Sequence, residues 1–119
     1  MAATLADRRM ILIGAFAEAA PAGYVSGLVM RSFTRAGDTA MLDDLLVAPR
    51  FRGRGLVREL MRRFRETAQA EGEPPLAMYS GTDRDNLPCA RAFLASGAVP
   101  EAPELYVEYQ WPTDPGAGR

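Results

Sequence analysis

The sequence predicts an α+β domain whose mixed sheet begins as an antiparallel meander and continues as β-α-β-α-β. Two observations indicate this fold class. Short apolar runs separated by turn residues occupy positions 10 to 47, and apolar residues then recur at helical spacing before a second strand–helix–strand stretch. At 119 residues, 48% hydrophobic and 24% charged, the chain has the size and composition of one globular domain with a single core.

The meander consists of three predicted strands. Met10–Phe16 is a short apolar run, and Ala20–Gly23 reads as a four-residue turn that leads into a second strand over Tyr24–Phe33. The third strand covers Thr39–Val47 and is ended by Pro49, which cannot donate a ladder hydrogen bond.

The second half alternates helices and strands. A helix of about 16 residues has an apolar stripe (Leu56, Leu60, Met61, Phe64, Ala68) and a stop at Gly72. A short strand, Pro75–Ser80, follows, and the strand–helix–strand order predicts a parallel pair with a right-handed crossover. Asp85 or Asn86 caps a second helix that ends near Gly97. The alternation in Leu105–Trp111 predicts a last strand, which closes a domain over 1–111 and leaves 112–119 as a frayed tail.

Composition excludes several kinds of chemistry. The chain has no histidine, and all 14 basic residues are arginine. Histidine metal sites, Ser-His and Cys-His nucleophiles, Schiff bases and a P-loop lysine are therefore excluded. A net charge of −1 gives no general attraction to nucleic acid or anionic membrane, and no apolar run approaches the ~20 residues of a membrane span. The chain has one cysteine, and its first ten residues lack the apolar stretch of a signal peptide. We therefore expect a cytoplasmic protein.

The most informative segment is Val47–Val57, where a strand ends, the chain turns through Gly53 and Gly55, and the long helix begins. Backbone N–H groups at the start of a helix face the positive end of its dipole, and glycine lets a phosphate approach the backbone. Three arginines add positive charge (Arg50, Arg52, Arg54). The segment predicts a pyrophosphate site; the alternative is a helix entry that uses glycine only to turn.

This segment, LLVAPRFRGRGLVRELM, resembles the acetyl-CoA-binding motif of the GNAT superfamily of N-acetyltransferases, with Arg52, Gly55 and Val57 at its defined positions. A second stretch, Asn86–Cys89 followed by Phe93–Gly97, is similar to the family's other helix motif. The resemblance covers about Met10 to Trp111, and the family usually has a further strand and two helices before the part that matches here.

The resemblance implies that the third strand and the strand after the first helix splay apart around the pantetheine arm of acetyl-CoA. Leu46 and Val47 would then pair with the arm. The pyrophosphate would be held by the turn and the helix start (Arg52, Gly53, Arg54, Gly55, Leu56, Val57), and Asn86 and Phe93 would complete the CoA site. In this family the acceptor, a primary amine on a small molecule or peptide, attacks the thioester directly and needs no metal.

Two residues are candidates for proton transfer. Asp43 and Asp44 lie in the third strand, where alternation places them on opposite faces, and Asp44 is our candidate general base; the alternative is a surface carboxylate. The family's thiolate-protonating tyrosine is replaced by Phe93, so Tyr79 is the candidate acid, with a core aromatic as the alternative.

Three further expectations concern activity and partners. A GNAT-like module that binds acyl-CoA without turnover is the alternative function, favoured by Phe93 and by the missing N-terminal wall. A nucleic-acid-binding domain would rest only on the arginine run, and the net charge argues against it. We expect a homodimer, because an apolar first strand near a sheet edge needs a cover.

Overall fold

A computed structural model describes residues 8–32, 35–82 and 85–100, together with Tyr109 and Trp111. It shows a mixed four-stranded sheet in the order β1-β2-β3-β4 with two helices, which confirms the predicted α+β class. Strands β1 to β3 are antiparallel and β4 is parallel to β3. The bounds are β1 (Met10–Ala17), β2 (Ala20–Arg31), β3 (Asp38–Val47), α1 (Leu56–Glu71), β4 (Ala77–Tyr79) and α2 (Leu87–Ala95).

The hairpin between β1 and β2 turns earlier than the sequence predicted. The turn is Glu18–Ala19, with φ of 52° and 60°, and the predicted turn over Ala20–Gly23 is wrong because these residues open β2. A two-residue hairpin favours positive φ at both central positions. Asn-Gly adopts this conformation readily and is a recognisable turn signal, whereas Glu-Ala is not. Pro21 is accommodated at an irregularity, where it lies opposite Phe16.

The core lies between one face of the sheet and α1. The apolar stripe of α1 buries Leu60, Met61, Phe64 and Ala68 against buried residues of the first three strands (Ile11, Ala22, Val25, Val29, Ala40, Leu42, Val47). Phe64 is fully buried, and a Cβ at Gly27 would stand 2.6 Å from its ring. Glycine is therefore needed at position 27 for α1 to lie this close to the sheet.

The second half agrees with the predicted elements. Helix α1 has the expected 16 residues, and the N–H of Gly72 closes it on the carbonyl of Ala68 at 2.8 Å. Asn86 caps α2, its side chain accepting from the N–H of Cys89 at 3.3 Å. The predicted strand Leu105–Trp111 lies outside the described residues except for Tyr109 and Trp111. No helix within the described ranges is both long and apolar enough to cross a membrane.

The face of the sheet turned away from α1 remains largely apolar. We call it the outer face; by strand register it carries Leu12, Tyr24, Ser26, Leu28, Met30, Met41, Asp44, Leu46 and Tyr79. Leu28, Met30 and Leu46 are 37%, 41% and 50% exposed. No element within the described ranges packs over this face to the extent that α1 packs over the other.

Candidate functional site

The site begins where β3 and β4 separate. Their parallel pairing is confined to Thr39–Met41 against Ala77–Tyr79, and the Ser80 hydroxyl donates to the carbonyl of Leu42 at 3.0 Å just beyond it. From Asp43 to Val47, no strand of the described chain pairs with this side of β3. This open edge spans about 16 Å at ~3.3 Å per residue, enough to pair with an extended ligand.

The peptide groups of the open edge have a defined direction. The N–H of Ala48 donates to the carbonyl of Ala22 on β2 at 2.7 Å, so alternation turns the peptide groups of Val47 and Leu45 to the opposite, open side. Arg52 confirms this direction, because its Nε donates to the carbonyl of Val47 at 3.0 Å. The peptide groups of Leu46 face β2 by the same alternation. Sequence reasoning missed Leu45, which a count of alternate residues back from Val47 would have found.

The turn after β3 presents backbone donors toward solvent. A 3₁₀ turn over Pro49–Phe51 precedes Gly53 and Gly55, both with φ of 78°. A Cβ on either glycine would meet no atom within 4 Å. As in any α-helix, the first N–H groups of α1, from Gly55 to Arg58, have no partner within the helix, and the N-cap residue Gly55 provides no side-chain cap. We call Arg52–Val57 the phosphate loop.

A cleft of about 440 Å³ opens beside the phosphate loop, between the start of α1 and the end of α2. Its lining brings together Val47, Phe51, Arg52, Gly53, Gly55, Leu56, Val57, Arg58, Met61, Ala92, Ala95 and Ser96. Most of the predicted CoA-binding residues therefore converge on one cleft, while Leu46, Arg54, Asn86 and Phe93 lie outside its lining. Val57, at the position where the motif has a small residue, packs its side chain against the core.

The arginines of this segment are arranged around Phe51. This side chain is 1% exposed, and the guanidinium groups of Arg50 and Arg54 lie 4.5 and 5.2 Å from its ring centroid. Glu18, in the β1–β2 turn, lies 3.8 and 3.7 Å from the same two guanidinium groups. All three charged side chains are more than half exposed, so these ion pairs are weak. The two arginines therefore remain available to bind an anion of higher charge than the Glu18 carboxylate.

A β-bulge on β3 sets the direction of Asp44. Ser26 pairs with Asp44 and Gly27 with Leu42, so Asp43 is an extra residue and simple alternation does not apply across it. The carboxylates of both Asp43 and Asp44 are exposed. The hydroxyl of Tyr24 donates to Oδ2 of Asp44 at 2.5 Å. This hydrogen bond, together with weaker desolvation and the nearby Asp44 charge, raises the pKa of Tyr24.

The other predicted residues lie around the same point. Tyr79 is the last residue of β4, pairs with Met41 and is 42% exposed, so it is not a core aromatic. Asp44 and Tyr79 therefore share the outer face near the place where the strands separate. Phe93 is half-buried and packs against the core. It lines a neighbouring cavity of about 620 Å³, whose lining also includes Tyr79 at the end of β4 and Met61 of α1.

Comparison with known proteins identifies the fold. Residues 2–97 match the acetyltransferase (GNAT) family model, whereas no curated protein matches the sequence. An aminoglycoside acetyltransferase from an uncultured soil metagenomic sample, solved with trehalose, superposes with a TM-score of 0.78 at 13% identity, covering 94% of this chain and 71% of its own.

Two further structures give the same result. A putative acetyltransferase from Agrobacterium tumefaciens has a TM-score of 0.75 at 22% identity, over 94% of this chain and 74% of its own. The aminoglycoside N-acetyltransferase AAC(6')-Iy, solved with a CoA-containing bisubstrate analogue, has a TM-score of 0.76 at 19% identity, over 93% and 75%. By the family match and the shared fold, this chain belongs to the acetyltransferase (GNAT) family.

Proposed function

We propose that the protein is an N-acyltransferase that moves an acetyl group from acetyl-CoA to a primary amine by direct attack. One observation carries the proposal: the uncapped N–H groups at the start of α1 and Val47, at one end of the open edge of β3, line the same cleft. A phosphate group bound there would place an extended arm along that edge. Structures of the family member AAC(6')-Iy with CoA support a ligand of this type.

The residues present suit each part of acetyl-CoA. The phosphate loop offers backbone donors, open space above Gly53 and Gly55, and nearby guanidinium groups for a pyrophosphate. Val47 and Leu45 offer peptide groups to the amides of the pantetheine arm. The carbonyl of Val47 is held by Arg52, so its N–H is the freer of its two groups.

The chemistry needs one base and one acid. The neutral amine nitrogen forms a bond to the thioester carbonyl carbon, Asp44 takes the proton that the nitrogen loses, and the carbon–sulfur bond breaks. Tyr79 gives a proton to the departing thiolate. Both side chains are exposed and exchange protons with water afterwards, so the products are an amide and free CoA.

The acceptor is proposed to be a small-molecule or peptide amine that approaches from the outer face, where Asp44 is exposed. Neighbours that are aminoglycoside acetyltransferases support a small-molecule amine. The single-domain boundary at 111, the cytoplasmic location and the homodimer remain part of this proposal.

Two measurements test the function. Calorimetry with CoA should show binding, and free-thiol release from acetyl-CoA should depend on an added amine drawn from polyamines, aminoglycosides and peptides with free amino termini. Asp44→Asn should lower the rate by roughly 10²–10⁴-fold while leaving CoA affinity unchanged. Met30→Leu, on the outer face but away from the open edge, is the matched control.

A binding module is the second candidate, favoured by Phe93, which has no hydroxyl to offer a thiolate. It predicts CoA binding with no amine-dependent thiol release across the whole panel. A protein that binds no CoA contradicts both functions.

A further inference from the structure

We propose that Tyr24 is a positioning residue that orients the carboxylate of Asp44 toward the acceptor amine. The inference rests on the proposed function and extends it to a residue that no family motif singles out. Its basis is a side-chain hydrogen bond between neighbouring strands, located where β3 begins its open edge.

The hydrogen bond fixes one oxygen of Asp44 and leaves the other for substrate. Tyr24 lies on β2 and Asp44 on β3, two residues apart in register, since Tyr24 pairs with Leu46 and Ser26 pairs with Asp44. The phenol donates to Oδ2. No other hydrogen bond or ion pair to Asp44 is found in the described part of the chain, so Oδ1 remains available to accept a proton.

The position of Asp44 agrees with where the thioester would lie. The phosphate loop follows Val47, and an arm that pairs with the open edge runs back along β3 from that point. Asp44 lies three residues before Val47, about 10 Å along the strand. It directly follows the bulge residue Asp43, near the point where β4 ends its pairing with β3. An arm that pairs with the open edge as far as Asp44 would therefore bring its end to this carboxylate.

An exposed aspartate needs such a partner to act efficiently as a base. The Asp44 side chain is solvent-exposed, and an unrestrained carboxylate samples several rotamers. Tyr24 is half-buried in the sheet, so its ring provides a fixed anchor. The Tyr24 hydroxyl is the donor in this hydrogen bond, and accepting it gives the Asp44 carboxylate a fixed partner. A base held in the right direction raises the reaction rate without tightening the binding of the substrate.

Tyr24→Phe removes the hydroxyl and keeps the ring. With acetyl-CoA and the best amine of the panel, we expect kcat to fall roughly tenfold, KM for the amine to change less than twofold, and CoA affinity to stay the same. In the Asp44→Asn background the same substitution should change kcat less than twofold, because Tyr24 acts through Asp44. Met30→Leu again serves as the control on β2.

A spectroscopic readout is independent of turnover. The ¹³Cζ resonance of Tyr24 should titrate above the ordinary tyrosine pKa in the wild type and closer to it in Asp44→Asn. An ordinary pKa in the wild type overturns the proposal, as does an unchanged kcat in Tyr24→Phe or an equal loss in both backgrounds. Absence of amine-dependent thiol release in a CoA-binding wild type overturns the proposed transfer, and with it the role of Tyr24.

Discussion

Replacing Gly55, an exposed glycine at the start of α1, tests the phosphate loop. Gly55 is the N-cap of α1, has a φ of 78°, and its added Cβ would meet no atom within 4 Å. A side chain at this position extends into the space proposed for the pyrophosphate. We expect Gly55→Glu to abolish measurable CoA binding, Gly55→Gln to weaken it, and Gly55→Ala to weaken it least.

The three variants separate the contributions of backbone strain, side-chain size and charge to CoA binding. Any non-glycine residue in the left-handed region costs about 1–2 kcal/mol of stability, and this cost is common to all three. Glutamine and glutamate have nearly the same size, so their difference isolates charge. Two like charges about 4 Å apart repel by about 4 kcal/mol at an effective dielectric of about 20. We therefore expect Gly55→Glu to bind CoA about 10³-fold more weakly than Gly55→Gln.

Calorimetry with CoA at two salt concentrations measures the difference in CoA affinity between Gly55→Glu and Gly55→Gln. The gap between the glutamate and glutamine variants should narrow at about 1 M salt, where the screening length is about 3 Å. Thermal unfolding of each variant controls for the shared backbone cost. Equal CoA affinity in Gly55→Glu and Gly55→Gln would refute the assignment of the pyrophosphate to this loop.

Two substitutions and one measurement of oligomeric state test the core, the second helix and the assembly. Gly27→Ala places a Cβ against the carbonyl of Met41 and 2.6 Å from the Phe64 ring. Urea unfolding should therefore show that the free energy of unfolding falls by about 1–3 kcal/mol. An unchanged urea midpoint would contradict the packing of α1 on the sheet. Phe93→Tyr should raise the rate of thiol release or leave it unchanged; loss of a robust activity in a folded variant would contradict our account of α2. Light scattering should find a homodimer, and a strict monomer at high micromolar concentration would exclude it.

The helices and the glycine turn that precedes α1 were predictable because their signals are local. The stripe from Leu60 to Ala68 has helical period, and Gly72 ends the helix with a backbone hydrogen bond that needs no distant partner. Asn86 caps α2 through its own side chain. Gly53 and Gly55, which the sequence marked as turn residues, adopt positive φ, a conformation that glycine reaches without strain.

The hairpin turn and the bulge were not predictable in the same way. Glu18 and Ala19 carry no preference for positive φ, so the favourable pairing of β1 with β2 imposes the turn on them. The bulge at Asp43 is visible only as a mismatch between two strands, because Gly27 pairs with Leu42 while Ser26 pairs with Asp44. A single strand read alone gives no sign of it, and the Tyr24–Asp44 hydrogen bond depends on that register.

The bulge connects the stability of the sheet to its chemistry. Ala40 and Leu42 are buried against α1, and without an extra residue the same alternation would carry Asp44 onto that face. Burying an unpaired carboxylate there would be strongly unfavourable. With Asp43 inserted, Leu45 and Val47 take the inward positions and Asp44 turns to the outer face beside Tyr24. The same insertion thus completes the apolar core and delivers a carboxylate to the open edge, so we regard the bulge as the feature on which the proposed acceptor side of the site depends.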